Sequence, residues 1–170
     1  RNNAQVRKGA ASTATAFQLH NILHSSLKNG SAQRVADSLP GNFKGGVKTG
    51  TTYDFGDNWL FGYDDRVTCG IWIGFLEGKK PIYNGAFSSD TCASILGTAF
   101  KESERLFPSG ELEPPPSVER VEICLTTGKR ATHSCYDIDP VDKKYRRHTM
   151  FEYLRKGDSS LPFCDLHGED

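Results

Sequence analysis

The chain holds 170 residues, with 21 Lys and Arg against 21 Asp and Glu, so no charge excess argues for nucleic acid or an anionic membrane as partner. No window reaches the roughly 18 consecutive apolar residues of a membrane-spanning helix, and the polar start RNNAQVRKG is not a signal peptide, so the chain as it stands is expected to be soluble. The length suits one ordinary domain, or a domain of about 110 residues with a small appendage.

That start has no initiating Met, and the first strong helix pattern begins near Ala10, so the chain is expected to be a fragment of something larger. Ala16, Leu19, Ile22, Leu23 and Leu27 recur at helical spacing and Asn29-Gly30 is a stop signal, which predicts an amphipathic helix over residues 11 to 28. Residues 31 to 44, with Leu39-Pro40-Gly41-Asn42 and no sustained period, read as a loop. Three runs of β-formers follow, at 47 to 52, 58 to 63 and 67 to 75, with Asp64-Asp65 as a tight turn. In the third run Val67, Cys69, Ile71, Ile73 and Phe75 share one face, and Thr68, Gly70, Trp72 and Gly74 the other; both are largely apolar or small, so cover on both sides is expected.

Ser88-Ser89-Asp90 offers helix N-caps, and Cys92, Ile95, Leu96, Ala99, Phe100 and Leu106 then recur at helical spacing until Pro108, predicting a helix over 89 to 107. The apolar stripes of the two helices need a common surface, so the runs are expected to form an antiparallel meander with both helices on one face. Pro114-Pro115-Pro116 is a stiff extended segment, and Val121, Ile123 and Leu125 alternate as a short strand before Thr127-Gly128. The expected division is a domain over 1–112 and a small β-containing module over 113–170, an α/β (α+β) arrangement.

The chemistry-bearing motif is GGVKTGTTYDFGDNWLFGY, residues 45 to 63. Lys-Thr-Gly opening a strand is one of three elements of the serine acyl-enzymes that react with penicillin, beside Ser-x-x-Lys and Ser-x-Asn. Here its surroundings also match: the helix, then GVKTGTT, Asp57-Asn58-Trp59, Gly62-Tyr63 and Ile71-Trp72-Ile73-Gly74-Phe75. Over roughly residues 10 to 107 the chain resembles the transpeptidase domain of bifunctional, class A penicillin-binding proteins, with Val47 where that family usually places Gly before the Lys. The tail, with Cys124, Thr127-Gly128, Cys135, Cys164 and His167 in order, is similar to the C-terminal extension of some of these enzymes.

The resemblance implies a partial penicillin-binding fold from a serine D,D-transpeptidase that cross-links peptidoglycan stem peptides and binds β-lactams, with no cofactor. It implies an extracytoplasmic location, with a membrane anchor in the missing N-terminal part. A stem peptide ending in D-Ala-D-Ala is extended, so a strand edge can pair with it by β-augmentation. Thr49 and Thr51 hydroxyls would hold its carboxylate, Lys48 would supply positive potential, and Gly50 would permit close approach. The backbone N–H of Thr51 would be half of an oxyanion hole. The chemistry would need the rest of the parent chain.

Ser25-Ser26-Leu27-Lys28 spells Ser-x-x-Lys, but only nineteen residues separate Lys28 from Lys48, Ser-x-Asn is absent, and Leu27 belongs to the apolar stripe. It reads as the solvated last turn of a helix, so the isolated chain is expected to be inactive and, with partners missing from its sheet, to self-associate as a homodimer. Alternative readings are a D,D-carboxypeptidase or β-lactamase relative, and a stand-alone cell-wall or protein binding module. His20 and His24 read as packing or surface residues, Trp59 and Trp72 as half-buried packing, and Cys69 and Cys92 as small hydrophobes. For Cys124, Cys135 and Cys164 the implied compartment favours a disulfide, from Cys135 to Cys164 or Cys124; with His167 the three also make a Cys3His zinc set of unusual spacing.

Overall fold

The computed structural model describes residues 9–76, 80–158 and 160–167. They fall into two compact units: Leu19–Glu113, and residues 114–167 together with residues 9–18. No helix among the described residues is long and apolar enough to cross a membrane.

The first unit is built on a three-stranded antiparallel meander, β1 (Gly46–Thr51), β2 (Asp57–Tyr63) and β3 (Thr68–Gly74), in the order β1-β2-β3. Its register places Thr49 opposite Leu60 and Leu60 opposite Ile71, so one face carries Val47, Thr49, Thr51, Asn58, Leu60, Gly62, Cys69, Ile71 and Ile73. Helix α4 (Ala93–Leu106) covers that face. Leu96 and Phe100 join Val47 and Leu60 in one buried cluster, and a Cβ on Gly62 would come within 2.8 Å of the Phe100 ring. Gly62 is therefore what lets α4 lie close to the sheet.

Helix α1 (Thr13–Asn29) departs from the expectation that both helices cover one face. Leu27 joins the cluster with Leu96, but His20 and Leu23 meet Tyr63 and Gly46, which the alternation of the strands puts on the opposite face. Helix α1 thus meets both sides, through Leu27 on one and His20 and Leu23 on the other, while Leu19 and Ile22 of its apolar stripe stay exposed.

Two further differences have local causes. The segment read as a loop contains a turn of helix, α2 (Gln33–Ala36), too short to be stable by propensity and held by Ala32 and Val35, both fully buried. The expected single helix over 89 to 107 is two, α3 (Ser88–Thr91) and α4, interrupted at Cys92, whose thiol is buried against the Asn58 carbonyl at 3.8 Å. Ser88, Ser89 and Asp90 do not cap α3. Phe87 occupies the cap position, and the Ser88 N–H is taken by the Thr51 hydroxyl at 3.1 Å, from another element.

In the second unit β4 (Val118–Cys124) pairs antiparallel with β7 (Thr149–Arg155), and β5 (Tyr136–Ile138) with β6 (Tyr145–Arg147). The first turns of α1 belong to this unit: Phe17 packs edge-on against Tyr153 at 4.9 Å, and Gln18 Nε2 donates to Tyr153 O at 2.9 Å. Only β4 was signalled by alternation; β5 and β6 are exposed triplets, too short for an apolar period to be read.

Candidate functional site

Strand β1 lies at an edge of its sheet, and antiparallel geometry fixes which of its backbone groups look outward. N–H and C=O of one residue point to the same side and alternate along the strand. Thr52 N donates to Asp57 O at 3.0 Å, so even-numbered residues pair with β2 and the amides of Val47, Thr49 and Thr51 point away from it. Two outward carbonyls have partners: Val47 O accepts from Ser26 Oγ at 3.2 Å, and Thr49 O accepts from Lys48 Nζ at 2.8 Å. The C-terminal end of α1 thus closes the start of the edge through Ser26, with His24 Nδ1 on Gly45 O at 2.8 Å, and the edge opens at Thr49.

The four motif residues divide between faces. Lys48 and Gly50 lie exposed on the outer face, beside the stacked pair Trp59 and Phe61, whose rings are 5.3 Å apart. Thr49 and Thr51 lie on the α4 side, half-buried. Thr49 Oγ1 shares a hydrogen bond of 2.9 Å with Ser31 Oγ, on the turn after α1. Thr51 Oγ1 accepts from Ser88 N and lies 3.4 Å from Ser88 Oγ. A Cβ on Gly50 would meet only Trp59, at 3.6 Å, an ordinary contact, so the chain's own packing does not require glycine here.

Behind the strand, Asn58 is fully buried and its amide donates to Ala86 O at 2.8 Å and to Thr91 Oγ1 at 2.9 Å. That pair of bonds pins the 86–91 segment under Thr51. Sequence reasoning named neither Ser31, Ser88 nor Asn58 as site residues, because each reaches β1 or its support through contacts distant along the chain. His20 and His24 sit in packing roles; burial, with His24 beside it, lowers the His20 value, and its Nδ1 lies 3.3 Å from the Tyr63 hydroxyl. Of the two adjacent serines, it is the Ser26 hydroxyl that donates to β1, at Val47 O, while Ser25 is the one that begins the Ser-x-x-Lys sequence.

The second unit has its own cluster. Cys124 at the end of β4, Cys135 before β5, Cys164 and His167 bring three sulfurs and an imidazole nitrogen within 4.8 Å of one another. All five cysteines are free thiols, so the expected disulfide is not formed here. Cys124 is carried on a turn closed by Gly128 N to Cys124 O at 2.8 Å and Cys124 N to Lys129 O at 2.9 Å, with Gly128 at φ +68°. Cys164 is fixed beside that turn by Arg130 N to Pro162 O and Cys164 N to Arg130 O.

The electrostatics of the cluster favour thiolate at one end. The Thr127 hydroxyl, with help from the backbone and ring of His167, holds the Cys164 thiol down at about 5. Burial pushes Cys124 up, but bonds from Thr127 and Thr126 outweigh it and leave it below the ordinary thiol value. Cys135 is raised, chiefly by burial, and contact with Cys164 raises His167. Such a set can hold a soft metal ion or exchange protons among its members.

No protein-family model matches the chain. It is homologous over most of its length to class A penicillin-binding proteins: 23% identical to penicillin-binding protein 1A of Clostridium perfringens over 92% of the chain, and 29% identical to penicillin-binding protein 1A/1B of Bacillus subtilis over 88%. Its fold is similar to part of the crystal structure of penicillin-binding protein 1A from Haemophilus influenzae, with a TM-score of 0.67 at 20% identity over 89% of this chain and 21% of that one. The chain spans less than a fifth of the length of the curated relatives it matches, 18% and 17% of the two proteins above.

Proposed function

We propose that this relative of penicillin-binding protein 1A is the C-terminal part of a peptidoglycan D,D-transpeptidase and supplies its substrate strand. The observation that carries the reading is the edge of β1, where the amides of Thr49 and Thr51 point outward beside exposed Lys48 and Gly50. An extended stem peptide, or a β-lactam that mimics it, adds to that edge through backbone hydrogen bonds. The outward N–H of Thr51 is then one donor to the oxyanion, and Lys48 holds positive potential over the substrate carboxylate. Thr49 contributes its hydroxyl, exchanging its contact with Ser31. The Thr51 hydroxyl binds carboxylate only in competition with Ser88 N, so its first role is to hold α3 in place. The bare Gly50 leaves room on the outer face, which the chain does not itself fill.

The nucleophile belongs to the parent, outside this chain. There a serine attacks the penultimate D-Ala carbonyl, the terminal D-Ala leaves, and the acyl group passes to an amine on a neighbouring stem. The site faces the extracytoplasmic side, with the membrane anchor also in the parent.

The test compares two proteins treated with labelled penicillin and analysed by intact mass. A parent extended upstream of Arg1 is acylated at a serine of a Ser-x-x-Lys sequence, and Lys48→Ala slows this about 10²-fold or more, the scale of one lost electrostatic group. The 170-residue chain alone is not acylated. An adduct on Ser25 of the short chain, or an inert parent, sinks the reading.

A further inference from the structure

We propose that Cys124, Cys135, Cys164 and His167 bind one zinc ion in a closed tetrahedral site, and that this ion is the core of the C-terminal unit. The proposal stands independently of the transpeptidase reading, because it uses none of the residues of β1.

Geometry is the first argument. Zinc binds sulfur at about 2.3 Å and imidazole nitrogen at about 2.0–2.1 Å, so a tetrahedral site has sulfur-to-nitrogen edges of roughly 3.6 Å and sulfur-to-sulfur edges of roughly 3.8 Å. His167 Nδ1 lies 3.5 Å from Cys124 Sγ and 3.2 Å from Cys164 Sγ, and all four donor atoms fall within 4.8 Å of one another. A disulfide needs two sulfurs at about 2.05 Å. It would use two of the thiols and leave the third, with the imidazole, crowded against the bridge. Four donors converging on one point is the arrangement a metal requires and a disulfide does not.

The second argument is what the unit otherwise lacks. Its buried cluster consists of Cys124, Cys135 and Cys164, exposed by 0%, 0% and 1%, packed with Ala131, and Val118 and Val121 on β4, exposed by 9% and 8%, are buried outside it. Larger apolar side chains such as Ile138, Val141, Phe163 and Leu166 point outward, each more than half exposed. Two-stranded pairs are marginal in water, and small scaffolds with so little core need a staple. A structural zinc supplies it, because ligation free energy becomes folding free energy when the site exists only in the folded state.

The third argument is the support around the donors. Thr132 N donates to Cys135 Sγ at 3.3 Å and the Thr127 hydroxyl donates to Cys164 Sγ at 3.5 Å, the outer contacts that orient and stabilise ligating thiolates. Cys164 and His167 sit three residues apart as a local chelate, while the Arg130 backbone bonds hold that chelate against the Cys124 turn. Three thiolates and an imidazole select zinc over calcium or magnesium, which take oxygen donors. With all four positions filled by protein the site has no open coordination for catalysis, so its role is structural.

The experiment uses the full 170-residue chain, purified without chelator and incubated with one equivalent of zinc under mild reductant. Elemental analysis is expected to return one zinc per chain, and X-ray absorption to return three sulfurs at about 2.3 Å and one nitrogen at about 2.0–2.1 Å. Cys135→Ser and His167→Ala lose the metal, whereas Cys69→Ser combined with Cys92→Ala keeps it. The absorption measurement on the unaltered chain decides the matter even if a variant does not fold. Folded protein without stoichiometric zinc, an oxygen- and nitrogen-only coordination shell, iron in place of zinc, or a disulfide between any two of the three tail cysteines in the zinc-treated chain overturns the proposal.

Discussion

Gly97 lies inside α4, where glycine costs about 1 kcal/mol relative to alanine, so on helix propensity alone Gly97→Ala stabilises the protein. The packing says the opposite. A Cβ at Gly97 would stand 2.2 Å from Ser38 O and 2.7 Å from Ser38 C. Both are backbone atoms, so no rotamer change relieves the overlap, and α4 or the 37–40 segment must retreat by roughly an ångström to restore ordinary contact. Val35 and Leu39, on either side of Ser38, are exposed by 0% and 6%, so the retreat opens the core cluster as well. Overpacking of this kind costs about 1–3 kcal/mol, and a backbone obstacle belongs in the upper part of that range. Against the propensity gain the expected net loss is about 1–2 kcal/mol. For a unit of this size that lowers Tm by roughly 4–8 °C per kcal/mol. The chain has two tryptophans, Trp59 and Trp72, both in this sheet, so urea unfolding followed by tryptophan fluorescence reports on this unit. Thr98→Ala, one residue along on the exposed side, is the control and should fall within ~0.5 kcal/mol of the parent. If Gly97→Ala instead raises stability by about 1 kcal/mol, the close approach of α4 to Ser38 is wrong.

Leu60→Ala removes a fully buried side chain from the centre of the same cluster and should cost about 2–5 kcal/mol by calorimetry; a loss under ~0.5 kcal/mol would remove Leu60 from the core. Asn58→Ala leaves Ala86 O and Thr91 Oγ1 without their donor, and is expected to cost about 1–3 kcal/mol and to speed amide exchange at Ser88, with unchanged exchange refuting the pinning of that segment. In the second unit, Arg147 donates to both Glu122 oxygens at 2.6 Å and, with Thr149, holds that carboxyl at about 2 against an ordinary 4.5. A depressed folded value means the contribution is complete above pH 4.5 and is lost as pH falls toward 2. At face value this is about 3 kcal/mol, and screening at side chains 36% and 27% exposed brings it to ~1 kcal/mol. Protection of the β4 and β7 amides should therefore weaken more between pH 6 and pH 3 in the parent than in Arg147→Ala, and parallel pH responses would count against the pair. Arg34→Ala breaks an ion pair whose Arg side chain is 72% exposed, so its cost should stay below about 1 kcal/mol, and a larger loss would mean that the pair is not the surface contact seen here.

Much of the first unit was legible because its apolar residues recur periodically. The apolar repeats predicted the strands and long helices to within a residue or two of where the structure places them, although Leu19 and Ile22 of the α1 stripe and Ile95 and Leu106 of the α4 stripe are exposed and burial on these helices rests on Leu27, Leu96 and Phe100. The motif Lys48-Thr49-Gly50-Thr51 was equally visible, and so was the list of donors Cys124, Cys135, Cys164 and His167. What periodicity does not carry is the identity of the facing surface. Hence α1 was expected on one face and serves both. Helix α2 was missed because its four residues are held by burial of Val35 and not by propensity.

The sequence by itself determined α1, α4 and the strands β1 to β4, and which residue types are available for chemistry, since an apolar repeat at 2.0 or 3.6 residues and a motif are local properties. Tertiary structure alone decided that β1 lies at an edge with the amides of Thr49 and Thr51 turned outward, that the Thr51 hydroxyl takes the Ser88 N–H at the start of α3, and that four donors spread over more than forty residues converge. These outcomes rest on hydrogen bonds that backbone amides donate to segments far apart in the chain, such as Cys164 N to Arg130 O and Ser88 N to the Thr51 hydroxyl. A backbone amide is the same at every residue except proline, so its choice of partner leaves no mark in the side-chain pattern and is made only when the chain closes on itself.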